Sequence, residues 1–263
     1  MFNFAELVMN ENMKIYRRSR TWVMIGIMLA LNAFISVIAY FQFDGSGSMW
    51  SVFHVESVIS FLLVTVFTAI IAAGSVADEF TTGTIKLLLI RPWTRSKILL
   101  SKYISILLFA LFAVILLYLF IFVVNLLLFG YDNPPASQLM VPLYSGSVVS
   151  YFLQYYILKF VSLVVTATLA FMLSAIFRSG GLAIGLSLFI ILGVNTFMSF
   201  LAIFDYAWIN YLLFIHLDLI QYLNQTPLRA GLSFSFSLGM LAAYYVVFIF
   251  LTWYVFSKRD VAA

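Results

Sequence analysis

The chain has 263 residues, of which 64% are hydrophobic and 9% charged, whereas a soluble domain is roughly 45–50% apolar and about 25% charged. No soluble fold of this size hides that much apolar surface, so the composition excludes one and requires a membrane. The lack of cysteine excludes disulfides and thiolate metal sites. The net charge of +4 takes its meaning from where the bases sit.

Residues 1–20 read as an amphipathic helix. Phe4, Leu7, Val8, Glu11 and Ile15 fall on one face, and Asn3, Glu6, Asn10, Lys14 and Arg17 on the other. This is the pattern of a helix lying in the cytoplasmic membrane interface, with Glu11 as the exception on the apolar side. A basic, apolar and small-residue order is missing here, so no removable signal peptide is expected.

Six apolar stretches then follow, each near the ~20 residues a helix needs to cross a bilayer. They cover 21–41, 58–77, 98–129, 148–177, 182–204 and 232–256. Backbone groups must be paired internally in lipid, and these runs are too long for barrel strands. The predicted class is therefore an all-α polytopic membrane protein, a single transmembrane domain over 1–263.

The bases give the orientation. Lys14, Arg17, Arg18 and Arg20 precede the first span. Lys86, Arg91, Arg95, Lys97 and Lys102 lie around the second connection. Arg178 sits between the fourth and fifth spans, and Lys258 and Arg259 follow the sixth. Twelve of the fourteen bases thus share one side, assigned to the cytoplasm together with both termini.

Three connections lie outside on this scheme. Segment 42–57, QFDGSGSMWSVFHVES, reads as a short loop with a glycine–serine turn. Segment 130–147 carries three of the five prolines and reads as an ordered loop. Segment 205–231 is apolar but interrupted by Asp205, His216, Asp218 and Asn224. It reads as one or two short helices dipping into the outer leaflet. Read instead as a seventh span, it would put the C-terminal bases outside, against the charge rule.

Motifs for soluble catalysis are missing. No phosphate-binding Gly-x-x-x-x-Gly-Lys-Ser/Thr, His-Glu-x-x-His or Gly-x-Ser-x-Gly occurs. The two histidines, His54 and His216, fall in the outside loops beside Glu56 and Asp218 and read as hydrogen-bonded interfacial residues. Lys159 lies inside the fourth span, about 13 Å deep at 1.5 Å per residue. It either snorkels to the headgroups or lines a cavity with a partner. Gly181 and Gly185, like Ala69, Ala73 and Ala77, recur at the four-residue spacing that lets membrane helices approach closely.

The densest charge lies in ADEFTTGTIKLLLIRPWTRSKILLSKY, residues 77–103. A short helix over 84–91 is expected to stop at Pro92. Thr94 then caps the helix into the third span, and Gly83 permits a tight turn. The result is a stiff basic elbow over 78–97. By itself it reads equally as a positive-inside loop on anionic lipid.

This elbow resembles the cytoplasmic signature of ABC-2 type permeases, the membrane subunits of bacterial ATP-binding-cassette exporters. The family shows Glu-Phe-x-x-Gly-Thr, an apolar stretch, then Arg-Pro-x-x-Arg and a lysine. Here these are Glu79, Phe80, Gly83 and Thr84, then Leu87 to Leu89, then Arg91, Pro92, Arg95 and Lys97. The resemblance extends to the amphipathic N-terminus, the six spans and the apolar segment before the last span. It implies a non-enzymatic subunit whose elbow, Lys86 included, docks an ABC ATPase, with two ATPase copies expected. ATP and Mg would be held by that partner and no cofactor by this chain. A second permease chain, identical or not, would complete a dimer in the cytoplasmic membrane, handling an antimicrobial peptide, drug or lipid. Lys159 is the candidate pathway residue. The rival expectation is a sensor or scaffold that binds a cytoplasmic regulator without transport. Neither implies nucleic acid.

Overall fold

The structure is a computed structural model. It describes residues 4–45, 47–84, 93–132, 147–177, 179–201, 204, 206–226, 228–229 and 231–258, without the side chains of 194–200. Apart from Thr84, the expected helix over 84–91 lies outside these residues, as does the proline-rich loop over 133–146.

Among the described residues nine α-helices follow in order: α1 (Phe4–Tyr16), α2 (Ser19–Gln42), α3 (Met49–Thr81), α4 (Arg95–Phe129), α5 (Val148–Ile176), α6 (Gly180–Leu201), α7 (Leu213–His216), α8 (Ile220–Leu223) and α9 (Phe234–Lys258), with a 3-10 turn at Ala207–Tyr211. Helices α2, α3, α4, α5 and α9 are long and apolar enough to cross a membrane. The chain is therefore a multi-pass membrane protein. Helix α6 has 22 residues and is apolar over Gly180–Gly193.

Local chemistry sets several of the boundaries. Thr94 caps α4 as expected, its hydroxyl accepting from the Lys97 amide at 3.4 Å. Ser147 caps α5 and Ser233 caps α9 in the same way. Gly83, just past α3, has φ of 71°, the left-handed angle that glycine adopts without strain.

One boundary corrects the sequence reading. Segment 42–57 is mostly helix, because α3 begins at Met49 and has 33 residues. The glycine–serine turn takes up only its start, with Asp44 and Gly45 both at positive φ. Beyond Ser48 nothing in MWSVFHVES breaks a helix. His54 and Glu56 therefore belong to α3 rather than to a loop.

The long helices alternate between two ends. At the basic end, Asp78 of α3 meets Arg18 and Arg20 at the start of α2. There Thr81 accepts from the Gly180 amide that opens α6, and Arg95 of α4 donates to the Ser257 carbonyl of α9. At the far end, Trp50 of α3 donates to the Asp132 carbonyl just past α4, and Tyr151 of α5 donates to Asn224. The segment between α6 and α9 is folded onto that end as the 3-10 turn, α7 and α8.

Helix α3 is the centre. Ala69, Ala72, Ala73 and Ala77 are fully buried, so neighbouring backbones come close. This alanine row packs within the chain, whereas Gly181 and Gly185 face outward, with open space where a β-carbon would sit. Near its far end, α3 joins an aromatic column in which Trp50 stacks on Phe152 at 5.4 Å. By contrast, only 17% of α9's apolar window and 22% of α2's are buried, against 67% for α5. Those two helices form the periphery.

Candidate functional site

Two sequence anomalies meet at the basic end. Glu11 sits on the apolar face of α1, and Lys102 is the eighth residue of the apolar helix α4. Helix α1 packs along α4 and brings them together. Lys102 Nζ lies 2.8 Å from Glu11 Oε2 and 2.6 Å from Glu79 Oε1. Lys14 closes the ring from the outside, 2.5 Å from Glu11 Oε1 and 3.1 Å from Glu79 Oε1. Two acids and two bases balance one another. Such a set survives burial because each charge has its counter-charge.

The electrostatics follow from that balance. Burial raises the Glu11 carboxyl, but Lys102 first, and then Lys14, hold it below its ordinary value. Burial lowers Lys14, but Glu11 and Glu79 hold it above its ordinary value. Glu79 retains one buried oxygen, Oε2, with no partner among the described residues. A cavity of about 40 Å³ opens beside the ring, room for a few waters.

A second pairing sits alongside. Asp78 accepts from Arg18 at 3.0 Å and Arg20 at 3.5 Å. A β-carbon on Gly180 would come within 2.2 Å of Asp78 Oδ1, so α6 starts against this carboxylate only because residue 180 is glycine. The acidic pair Asp78–Glu79 thus ties α3 to α1, α2, α4 and α6.

The expected docking residues are distributed around this clamp. Glu79 is turned inward, 8% exposed. Phe80 packs against the main core. Gly83 forms the turn, and Thr84 lies within 3.0 Å of the Thr82 hydroxyl. Arg95 holds α9, while Lys97 lies 5.6 Å over the Trp93 ring. Lys86, Arg91 and Pro92 lie outside the described residues. Sequence reading missed Glu11, Lys14 and Lys102 as members of one site. The available signal was the coincidence of an acid on an apolar face with a base just inside a span.

Lys159 stands elsewhere, on α5. Its ammonium pairs with Asp218 at 3.1 Å and lies 5.9 Å from the Tyr155 ring centre. Both charges line a cleft of about 500 Å³ between α3, α5, α6 and the segment 213–228. Leu62, Leu163, Leu169 and Ile191 give it an apolar wall, and Ser162 and Thr166 add hydroxyls. Lys159 is thus a paired, cleft-lining residue.

His216, fully buried in α7, has a structural role. Its Nε2–H donates to the Asn210 carbonyl at 2.9 Å, which leaves Nδ1 to accept from Ser237 at 2.8 Å. Burial lowers its pKa, with the Asn210 bond a partial offset. No group of three or more metal-ligating side chains occurs among the described residues.

Comparison with known proteins gives a family. Residues 15–262 match DUF2705, a family of proteins of unknown function, and the chain belongs to it. It is similar to the uncharacterized protein YhcI of Bacillus subtilis (strain 168), 35% identical over 97% of this chain and 99% of that protein. It is also similar to the uncharacterized membrane protein YdbK of the same organism, 28% identical over 95% of this chain and 99% of that one.

Proposed function

We propose that this DUF2705 member is the permease subunit of an ABC-type exporter, moving a hydrophobic or amphipathic substrate with energy supplied by a separate ATPase. The observation that carries the reading is the clamp on Glu79. The acid that opens the Glu-Phe-x-x-Gly-Thr run is bonded directly to Lys102, on the far side of the 82–94 connection. A push on that connection therefore reaches α3, α4 and α1 as one unit, and a nucleotide-driven movement needs such a stiff link to reach the spans. The apolar cleft with a Lys159–Asp218 pair suits an amphipathic cargo. In this reading α6 is a sixth span, the basic end is cytoplasmic, and α1 lies in the inner interface. The outward Gly181 and Gly185 offer a close-packing face for a second permease chain.

The test is co-expression with a cognate ABC ATPase. The permease alone hydrolyses no ATP, and the pair co-purifies. Lys86→Glu with Arg91→Glu abolishes capture, while Arg229→Glu at the far end retains it. Undiminished capture by the double reversal would end the docking assignment. A stable complex without ATP-dependent transport in vesicles would make the chain a scaffold or sensor instead.

A further inference from the structure

A second buried acid lies far from the clamp. Glu56 is 23 residues before Glu79 on α3, about 35 Å away at helical rise, and fully buried. Three helices surround it with polar side chains. Asn32 and Ser36 come from α2, Ser60 from α3 and Asn125 from α4, each at most 2% exposed. Ser36 pairs with Glu56 Oε1, and Asn125 Nδ2 donates to Oε2. One turn along, Ser60 donates to Asn32 Oδ1 at 2.8 Å.

Unlike Glu79, Glu56 has no counter-charge among the described residues. Among the described residues no lysine, arginine or histidine pairs with its carboxyl. From α2 and α4 it meets only amides and hydroxyls. From α5 the near titratable group is Tyr156, hydrogen-bonded to Ser57 at 3.0 Å and set edge-on to Tyr118 of α4. His54, also on α3, lies against Phe152 and Tyr155. All of these are uncharged when ordinary neutral forms prevail. A lone carboxylate in such surroundings loses far more hydration than two neutral hydrogen bonds return, and the usual resolution is to bind a positive charge.

We infer that Glu56 is a proton-binding site within the bundle, occupied at neutral pH. The hydrogen-bond pattern places the proton. Asn125 Nδ2 also donates to the Ile121 carbonyl at 3.0 Å, which fixes that atom as the amino nitrogen. Oε2 is therefore an acceptor. The added proton goes on Oε1, where the acid's O–H donates to Ser36 Oγ and the serine hydrogen turns away. The step is a plain association of carboxylate with one proton. Asn125 Oδ1 is left buried and unpartnered, a residual negative pole that further opposes ionisation next to it. An alkali cation would need space and several oxygens. The void beside Ser60, Val114 and Tyr156 has no room even for water.

Infrared difference spectroscopy of the purified chain in lipid nanodiscs tests this. At neutral pH, wild type minus Glu56→Gln shows the carbonyl band of a protonated carboxylic acid. The band is unchanged when sodium and potassium are replaced by choline. Ser36→Ala, which removes the acceptor of the acid hydrogen, shifts it. Glu56→Gln, a mimic of the protonated state, melts close to wild type and above Glu56→Ala. Ionised-carboxylate bands in place of the acid band would overturn the inference. So would an acid band that grows only when alkali cations are removed, which would assign the site to those ions. Should Glu56→Gln fail to fold, the Ser36→Ala shift still decides: a band that does not respond refutes the placement.

Discussion

Replacing Lys102 with methionine tests the clamp most directly. The two side chains are of similar length, and that of Lys102 is 2% exposed, so the substitution removes charge with little change in packing. Glu11 and Glu79 are then left sharing Lys14 alone, with one uncompensated negative charge. Breaking a buried ion pair by removing one partner costs about 3–5 kcal/mol. The lower end applies here, since Lys14 is half-exposed and already touches both acids. About 3 kcal/mol corresponds to a loss of about 6–12 °C in melting temperature for a chain near this size. The assay is thermal melting of the detergent-purified protein, read by the fraction still monodisperse after heating. The deciding comparison is Lys102→Met with Glu79→Gln. That double variant restores neutrality, with Glu11 facing Lys14, and regains most of the lost stability. If it melts no higher than the single variant, charge balance is not what holds the clamp, and the reasoning fails.

Three further outcomes follow from the same geometry. Gly180→Ala drives a β-carbon into Asp78, displaces it from Arg18 and Arg20, and costs about 1–3 kcal/mol of overpacking; Asp78→Ala in the same chain relieves most of the loss in a melting series. The clamp gives stability a plateau in pH. Glu11, held below its ordinary 4.5, contributes fully above that value and loses its contribution as pH falls through its lower folded value. Lys14, held above its ordinary 10.5, contributes fully below that value and loses its contribution as pH rises through its higher folded value; Glu11→Gln therefore flattens the acid limb of melting temperature against pH. At the far end, His216 is held neutral below its ordinary 6.5. Its contribution is complete above 6.5 and fades as pH falls towards the folded value, so limited proteolysis around 206–231 should accelerate in mild acid and lose that pH dependence in His216→Asn.

Hydrophobic run length and the side bias of the bases made the helical membrane architecture legible, because both express the same demand that backbone and charge avoid lipid. Five helices long and apolar enough to cross a membrane stand close to predicted stretches among the described residues, and α6 stands close to the remaining one. The second began too late in the reading, since Glu56 and His54 looked like loop residues. They are tolerated in α3 because Ser36, Asn125 and the aromatic column receive them, and those partners lie 20 to almost 100 residues away in the chain. The clamp was hidden for the same reason. Glu11 read as a flaw in an amphipathic face and Lys102 as the edge of a span, and neither position carries any local sign of the other. Thr94 and Gly83 were readable because caps and left-handed turns are decided by one residue and its immediate neighbours.

Ser174 fastens the centre of the bundle. Its hydroxyl oxygen lies 3.0 Å from the backbone nitrogens of both Val76 and Ala77, accepting from amides that belong to another helix. Ridges and grooves alone would let α3 and α5 slide along each other one side chain at a time. Here a slip of one residue, about 1.5 Å, would break both of these contacts at once. The α3–α5 seam is therefore riveted rather than merely fitted. The α3–α5 pair thus forms the fixed spine of the bundle, with the more lightly covered α2 and α9 at its edge.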